Sequence, residues 1–491
     1  MLFRFSFILL VYYGFSFPSW GAEIHDTATE SLSLSTALQR VITHSSALHI
    51  AQLQEQDIHW DQQQLRASQD PKASIKGQIS DDRTPSSSPF APVQTRIAFI
   101  QGSITQPLGH GDSLTLSAQY TRAHSSYSSN IPLSFQSTMN PSYQQQIDFI
   151  YRYPLLKGHD NAAYLNQLQQ LTHNQEALRW QRLAQREQLA AQVGQLYFQL
   201  AANHIAITLS QDALKRSQRM LAYQKKREYL GLAERSDRLA TKALLAARQA
   251  DVVNAKNTYR TTQTIFNRLM QQPYNTPITP TVSNPNTTKL PSLNTLIQQA
   301  EHNRPIFHAL QAQIQAAQAQ LRFVQNNDQA QLDVIGQIGT RSLSGTAGQT
   351  LVQGFSLKDR YIALSMEWSD SISQNDMHSS IRKATLQAER IRLQQQQTRN
   401  DTITELSKAI TQWYNATQTE EALQHQQSIE QMKFQEDMRR YRDGRSDTAT
   451  IIQSEGALQQ VSLQTSLQHI QRQQALFRIQ LLTGRWTTLL Q

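Results

Sequence analysis

The chain has no cysteine in its 491 residues. This absence excludes disulfide bonds, thiolate metal sites and the lipid anchor that is attached to an N-terminal cysteine. Proline is also scarce, with 15 residues, and five of them lie in the segment from Gln272 to Pro291. Long helices are therefore permitted elsewhere, while this segment is excluded from regular helix.

Long hydrophobic runs are missing as well. Hydrophobic residues make up 39% of the chain and the mean hydropathy is −0.53. Beyond the N-terminus no apolar run reaches the roughly 18 residues that a transmembrane helix needs. The net charge is +9, but the basic residues are dispersed among glutamine and alanine. A nucleic-acid interface has clustered basic residues, so we predict no nucleic-acid partner.

Catalytic and metal-binding signatures are not found either. The 14 histidines lack the spacing of metal ligands, and we predict neither a metal site nor a cofactor. The acidic pairs Asp81-Asp82 and Glu420-Glu421 lie in polar surroundings and are interpreted as solvated surface charge. We therefore predict that the protein is not an enzyme.

The N-terminal residues are typical of a secretory signal peptide. Arg4 precedes the apolar run Phe5–Phe15, and small residues stand at Ser19 and Gly21. The alternative is an N-terminal membrane anchor, but the run is shorter than a membrane span. We therefore predict export, with residues 1–21 as the signal peptide.

Two segments of the chain repeat each other. Ala47–Ser80 aligns without gaps on Ile306–Gly339, so that Gly77–Ile79 falls on the same three residue types at Gly336–Ile338. Each copy then continues through a further strand, a very long helical pattern, a glycine turn and a shorter helix. Such duplication is typical of a pseudo-symmetric wall rather than of an active-site pocket.

The repeat sets the predicted domain organisation. The first repeat covers residues 22–271 and the second covers 292–484. The proline-rich linker 272–291 separates them, and a short tail follows at 485–491.

Each repeat is predicted to contain one exceptionally long helix. Residues 161–229 and 373–441 contain no proline, and each spans about 100 Å at about 1.5 Å per residue. The shorter helices are predicted at 33–67, 233–271, 292–326 and 447–482. Two short helices laid end to end match one long helix, and their polar faces favour a hollow tube of helices that is wetted on both sides.

The strands are predicted in two groups, within residues 72–154 and 331–368. An apolar face alternates with a mostly polar one in the last strand of each group. The apolar positions are Ile147, Phe149, Tyr151, Tyr153, Ile362, Leu364, Met366 and Trp368. This pattern is typical of a membrane β-barrel strand, with an ordinary half-buried sheet as the alternative. Residues 342–354 are predicted as a loop, and the hairpin at 96–121 either adds barrel strands or belongs to outer loops.

The turns and junctions of the chain resemble the TolC-like outer membrane efflux protein family. The most specific segments are the two turns, Gly231–Asp237 and Tyr441–Asp447. Tyr153–Gly158 resembles the strand-to-long-helix junction of that family, and Arg304-Pro305 resembles the start of its second repeat. The resemblance covers nearly the whole chain after the signal peptide.

The resemblance implies a mainly α fold with a membrane β-barrel part, built from two structural repeats. Long coiled-coil-like helices of three chains would form an α-helical barrel that continues into one trimeric transmembrane β-barrel. The implied location is the outer membrane of a Gram-negative cell, with an extension into the periplasm. The implied partners are two further copies of the chain, outer membrane lipid, a periplasmic adaptor (membrane fusion) protein and an inner-membrane transporter.

The resemblance also implies a function and a set of entrance residues. The function is a channel-tunnel for small toxic molecules or for a polypeptide exported by type I secretion. The entrance residues are Ser236, Asp237, Tyr441, Arg445, Asp447, Thr450 and Gln453. Asp237 and Tyr441 are the candidates for a reversible tie between helices, with helix capping and aromatic packing as the alternative roles. Thr450 and Gln453 stand where some relatives carry acidic residues, which argues against an acidic cation gate.

A different function class stays open at this point. Long helical pairs also occur in periplasmic coiled-coil adaptors and spacers, although such proteins usually carry a lipoyl-like β domain. Strands with a lipid-facing side favour the channel over this alternative.

Overall fold

A computed structural model describes residues 30–282, 289–356, 359–370 and 375–490. The predicted signal peptide and residues 283–288 of the predicted linker lie outside these ranges. Nine α-helices are found in the described ranges: α1 (Leu34–His44), α2 (Ser46–Ala67), α3 (Ala162–Tyr229), α4 (Arg235–Leu269), α5 (Leu293–Asn303), α6 (Pro305–Asn327), α7 (Ala347–Gly354), α8 (Asn375–Arg442) and α9 (Thr448–Leu482). The strands there are β1 (Glu30–Leu32), β2 (Lys72–Asp82), β3 (Gln94–Pro107), β4 (Ser113–Ser126), β5 (Ser142–Pro154), β6 (Ile278–Pro280), β7 (Gln331–Ser344) and β8 (Arg360–Ser369).

The helices form one layered wall. α3 and α8 each have 68 residues, and α4 and α9 each have 35. α2 and α4 pack on α3, α6 and α9 also pack on α3, and α8 packs on α6 and α9. The prediction that two shorter helices lie alongside one long helix is therefore confirmed in both repeats.

The wall has narrow apolar seams, as the heptad spacing indicates. Val193 and Leu200 of α3 are fully buried, and Phe266 of α4 and Phe477 of α9 pack into the same core. No helix among the described residues is both long enough and apolar enough to cross a membrane.

Buried ion pairs fasten the helices between these seams. Glu455 of α9 is fully buried and lies 3.1 Å from Arg216 of α3 and 2.6 Å from Arg248 of α4. The hydrogen bonds and charge of Glu455 raise the pKa of Arg248 against the opposing effect of its burial. One buried carboxylate therefore joins three helices.

A similar pair joins the two repeats. Glu187 of α3 lies 2.7 Å from Arg304, the residue between α5 and α6, and Arg304 also donates a hydrogen bond to Thr402 of α8. Burial raises the pKa of Glu187, while the Arg304 guanidinium opposes that rise.

The interpretation of Glu420 as a solvated charge is wrong. Glu420 is 4% exposed, and its carboxylate lies 2.8 Å from His469 and 2.9 Å from Arg472 on α9. Its neighbour Glu421 points to solvent, as predicted. The adjacent acidic pair spans two faces of one helix, and only one face is buried.

The opening helix of each repeat is interrupted, whereas the sequence predicted one continuous helix. Ser45 is extended between α1 and α2, and its hydroxyl accepts a hydrogen bond from the Leu48 amide. Arg304 is extended between α5 and α6 because Pro305 disfavours the helical conformation of the residue before it. The two breaks occupy equivalent places in the repeats.

A second, two-stranded sheet packs against the hydrophobic core of the wall. β1 and β6 pair in parallel, so the segment before α1 meets the linker after α4. The Tyr197 hydroxyl of α3 donates to the carbonyl groups of Leu32 and Thr281, and burial raises the pKa of Tyr197 to about 12. The predicted C-terminal tail is not free here, because Trp486 packs into the same core and is buried.

The main sheet has six antiparallel strands in the order β2-β3-β4-β5-β7-β8. The first repeat contributes four strands and the second contributes two. The hairpin of β3 and β4 lies inside this sheet, between β2 and β5. The predicted loop at 342–354 is partly wrong, since residues 347–354 form α7.

Candidate functional site: a two-faced sheet and the helical tip

The register of the main sheet separates its residues into two faces. Residues directly opposite each other in an antiparallel pair point to the same side. Phe149 of β5 pairs with Ile338 of β7, which pairs with Ile362 of β8. The predicted apolar positions of the two repeats therefore share one face of one sheet.

The apolar face continues across all six strands. Its members on β2, β3 and β4 are Ala73, Ile75, Ile79, Ala98, Ile100, Ile104, Leu114, Leu116 and Ala118. These side chains are not packed on a core: Ile79 is 88% exposed, and Leu364 is 79% exposed. Ile147 and Tyr153 lie on the same face but are half-buried. A continuous exposed apolar face of this size is far beyond the scattered exposure of a soluble sheet.

Aromatic residues border this face at both ends. Tyr151 and Tyr153 of β5 and Trp368 of β8 lie near the end where the strands join the helices. Tyr120 of β4 and Tyr143 of β5 lie at the far end, with ring centroids 6.2 Å apart. Two aromatic borders around an apolar band are the pattern of a membrane-spanning sheet, since these rings favour the membrane–water interfaces.

The opposite face is polar. Arg152 of β5 lies 2.7 Å from Asp333 of β7 and 3.2 Å from Glu367 of β8, so one cation bridges two strands. Further along the same face, the Tyr361 hydroxyl donates to the Asp148 carboxylate. Such a face suits contact with water and not with lipid.

Both outer edges of the sheet are unpaired in the described part of the chain. β2 pairs only with β3, and β8 pairs only with β7. Their outward-facing backbone amide and carbonyl groups need hydrogen-bond partners if the apolar face lies in lipid, where water cannot supply them. In lipid, the sheet would thus be incomplete as a single copy.

The outermost helices also carry exposed apolar residues. On α8 these are Leu386, Leu393 and Tyr414, which are spaced by multiples of seven residues. Their side chains are between 48% and 60% exposed. On the opposite side of the wall, α2 exposes Ile50 and Trp60. Heptad spacing at exposed positions is typical of a helix that packs against a further helix.

The two helical hairpins end together at the tip of the wall. Gly231 and Gly444 have φ angles of 71° and 76°, which are left-handed conformations that favour glycine. α4 begins at Arg235, and α9 begins at Thr448. The two predicted turns therefore have closely similar geometry.

Tyr441 is buried at this tip and ties the two hairpins of one chain together. Its hydroxyl donates to the side-chain carbonyl of Gln224 on α3 and lies 3.1 Å from the Thr448 hydroxyl. The Arg227 guanidinium lies 4.9 Å from the centre of the Tyr441 ring, and the Tyr223 ring packs against it at 5.6 Å.

Asp237 does not lie where a direct contact with Tyr441 of the same chain would require it. Its carboxylate accepts a hydrogen bond from the Glu234 amide at 3.4 Å, in a capping box at the start of α4. Ser236 is exposed and donates to the Glu234 carboxylate. The structure therefore does not bring Asp237 and Tyr441 together within one copy.

The remaining predicted entrance residues lie on the second turn. Asp447 caps α9 and accepts a hydrogen bond from the Thr450 amide at 2.7 Å, and the Thr450 hydrogen bonds lower the pKa of Asp447. Gln453 and Arg445 are exposed. Gln224, Tyr223 and Arg227 are not among the predicted entrance residues, because their role depends on a neighbouring helix; Gln224 and Tyr441 are 217 residues apart in the chain.

The sequence matches no protein-family model and no curated protein. The structure is similar to solved outer membrane channels. CusC has a TM-score of 0.68 at 13% identity, with 94% of this chain and 95% of CusC covered. The outer-membrane channel OprN has a TM-score of 0.68 at 14% identity, with 92% and 89% covered. The CmeC channel of Campylobacter jejuni has a TM-score of 0.66 at 12% identity, with 92% and 86% covered.

These likenesses span nearly the full length of both partners in each comparison. They confirm the fold that the resemblance to the TolC-like family implied: two repeats of long helices joined to an antiparallel sheet. At these identities the comparisons concern the fold alone.

Proposed function

We propose that this chain is a TolC-like outer membrane channel-tunnel that works as a trimer. The observation that carries the proposal is the two-faced sheet with two open edges, continuous with a wall of long helices. A sheet with an exposed apolar face needs lipid, and lipid requires that every strand edge be paired. Closure with further copies of the chain meets both needs.

The direction of the strands supports closure into a ring. β2 begins at the helical end of the sheet, whereas β8 ends there. β8 of one copy and β2 of the next therefore run antiparallel when the copies stand side by side. Three copies would bring α8 of one chain against α2 and α4 of the next, where the exposed apolar residues lie.

The conduit would carry solutes from the periplasm to the exterior. Its sheet would cross the outer membrane, and its helices, about 100 Å long, would extend into the periplasm. A periplasmic adaptor and an inner-membrane transporter would deliver the cargo to the tip. The similarity to CusC, OprN and CmeC supports this role, and the cargo is either a small toxic molecule or a secreted polypeptide.

The tip would be the gate. Ser236, Asp237, Tyr441, Arg445, Asp447, Thr450 and Gln453 would surround the entrance in three copies each. Tyr441 is satisfied within its own chain, so it would hold the two hairpins as one unit. Asp237 is half-buried at the start of α4 and would be available to a neighbouring copy.

The alternative, a periplasmic coiled-coil adaptor, accounts for the helices but leaves the apolar sheet face without a partner. Membrane fractionation separates the two. We expect the protein in the outer membrane fraction as a trimer that dissociates only on heating in detergent. Recovery as a soluble periplasmic protein would contradict the channel. A variant with Ile75 and Ile79 changed to aspartate should fail to insert into the membrane. The control variant, with Lys76 and Gln78 on the polar face changed to aspartate, should still insert.

A further inference from the structure

The hairpin of β3 and β4 makes the two repeats unequal. The first repeat contributes β2, β3, β4 and β5 to the sheet, and the second contributes only β7 and β8. The pseudo-symmetric counterparts of β7 and β8 are β2 and β5, since each pair joins a short helix to a long one. The hairpin of β3 and β4 is therefore an addition to a four-stranded plan.

This hairpin is an internal part of the sheet, because both of its strands pair with strands on either side. β3 pairs with β2 over 11 residues and with β4 over 14, and β4 pairs with β5 over 11. Its apolar side carries Ile100, Ile104 and Leu116, each between 48% and 57% exposed, in line with Phe149 of β5. The band of apolar residues passes through the hairpin without a gap.

The polar side of the hairpin is uncharged. Its residues from β3 are Thr95, Ile97, Phe99, Gln101, Ser103 and Thr105, and those from β4 are Ser113, Thr115, Ser117, Gln119, Thr121, Ala123 and Ser125. Hydroxyl groups bridge the strands, with Ser74 to Ser103 at 2.8 Å and Thr105 to Thr115 at 3.0 Å. By contrast, β5, β7 and β8 carry Asp148, Arg152, Asp333, Arg341 and Glu367 on the same side.

We propose that β3 and β4 are full wall strands of the pore, so that the trimer closes an 18-stranded barrel with a widened lumen whose added sectors are neutral. This rests on the proposed trimeric channel. Three six-stranded sheets make 18 strands. With strands about 4.8 Å apart and tilted by about 40°, the backbone diameter is about 36 Å, against about 24 Å for 12 strands.

The wider lumen changes where cargo is selected. The cross-section of the barrel becomes about twice that of a 12-stranded one by the same geometry. The outer section then accepts any bulky hydrophilic cargo that has passed the helices, with hydroxyl and amide groups along the added sectors. Selection by size therefore falls to the helical tip.

The absence of cysteine makes a direct test simple, because one introduced cysteine is the only thiol in the chain. The pair Ile100→Cys and Gln101→Cys samples the two faces of β3. The pair Leu364→Cys and Ser365→Cys samples the two faces of β8 as a control. Trimers in native outer membrane are treated with a charged, water-soluble maleimide and then denatured to count the remaining thiols.

We expect Gln101→Cys and Ser365→Cys to be labelled and Ile100→Cys and Leu364→Cys to be protected until denaturation. Equal labelling at positions 100 and 101, with the β8 pair still different, would overturn the 18-stranded wall and leave the channel intact. Equal labelling at 364 and 365 would instead contradict the proposed channel. Electron cryomicroscopy of the trimer supplies the second measurement: 18 strands are expected, and a 12-stranded ring with the hairpin outside it would overturn the proposal.

Discussion

The Tyr441 hydroxyl on α8 donates a hydrogen bond to the side-chain carbonyl of Gln224 on α3, in a site where both residues are buried. The two residues belong to different repeats and are 217 positions apart. The contact joins the last turns of the two longest helices, just before the chain reverses at Gly231 and Gly444. It is a buried polar link between the two hairpins that form the tip.

Replacing Tyr441 with phenylalanine should loosen the tip. The ring would still pack under Arg227, but Gln224 would lose a buried partner, at a cost of about 1–3 kcal/mol. We expect cells with Tyr441→Phe to admit bulky antibiotics that the outer membrane normally excludes. Minimum inhibitory concentrations measure this effect, with Tyr274→Phe, at a tyrosine that is 73% exposed, as the matched control. Unchanged sensitivity at a normal protein level would exclude Tyr441 from the closed state.

A separate variant tests the tie between copies. Asp237→Ala removes a carboxylate that, among the described residues, accepts a capping hydrogen bond from the Glu234 amide. If Asp237 holds a neighbouring copy, we expect the same antibiotic sensitivity as for Tyr441→Phe. Glu234→Ala, which breaks the same capping box but keeps the Asp237 carboxylate, is the control. Wild-type sensitivity of Asp237→Ala would restrict this residue to helix capping.

Arginine on the apolar face should prevent assembly in the membrane. Phe149→Arg or Leu364→Arg should cost about 2–4 kcal/mol if the side chain lies near the bilayer centre. Ser365→Arg places the same charge on the polar face of β8, where water can solvate it. Trimer yield in the outer membrane is the measurement. Equal yields from Leu364→Arg and Ser365→Arg would contradict the assignment of the faces.

The buried carboxylate of Glu455 should be essential to the stability of the wall. Glu455→Gln leaves Arg216 and Arg248 without their shared counter-ion, which should cost about 3–5 kcal/mol. Glu421→Gln on the exposed side of α8 is the control and should change little. Denaturant unfolding of the purified protein, followed by circular dichroism, compares the free energies of unfolding. If Glu455→Gln lowers the free energy of unfolding no more than Glu421→Gln does, water must solvate Arg216 and Arg248.

The sequence predicts most of the long helices of this fold, and each element that it does not predict has a physical cause. The helices of 68 and 35 residues follow from heptad spacing and the lack of proline. The break at Ser45 was not predicted, because a serine can also lie inside a helix. In the structure its hydroxyl instead caps α2 by accepting a hydrogen bond from the Leu48 amide. At Arg304 the following proline did carry the signal. Pairing partners such as Gln224 for Tyr441 depend on which helices become neighbours, and no local pattern encodes that.

Ion preference at the tip should be weak. Glu436 is paired with Arg439 and Arg440, which lower its pKa to about 2, and Asp443 lies 3.6 Å from Arg439. With Thr450 and Gln453 neutral, few unpaired carboxylates remain to attract cations. We expect little block by a trivalent cation added from the tip side in planar bilayers. Because the pKa values of Glu436 and Asp447 are both lowered, these groups stay ionised and conductance should hold down to about pH 4. Strong block at low concentration would reveal an acidic ring, with Asp447 to be tested first.

The added hairpin also shows how such a wall can grow. Each strand reverses the direction of the one before it, and a ring of identical units closes only when the last strand of one unit opposes the first strand of the next. An insertion of one strand would leave parallel neighbours at every junction and send the following long helix to the wrong side of the membrane. Two strands preserve both the junction and the side. The smallest step by which the proposed pore can widen is therefore one hairpin per chain, or six strands per ring of three.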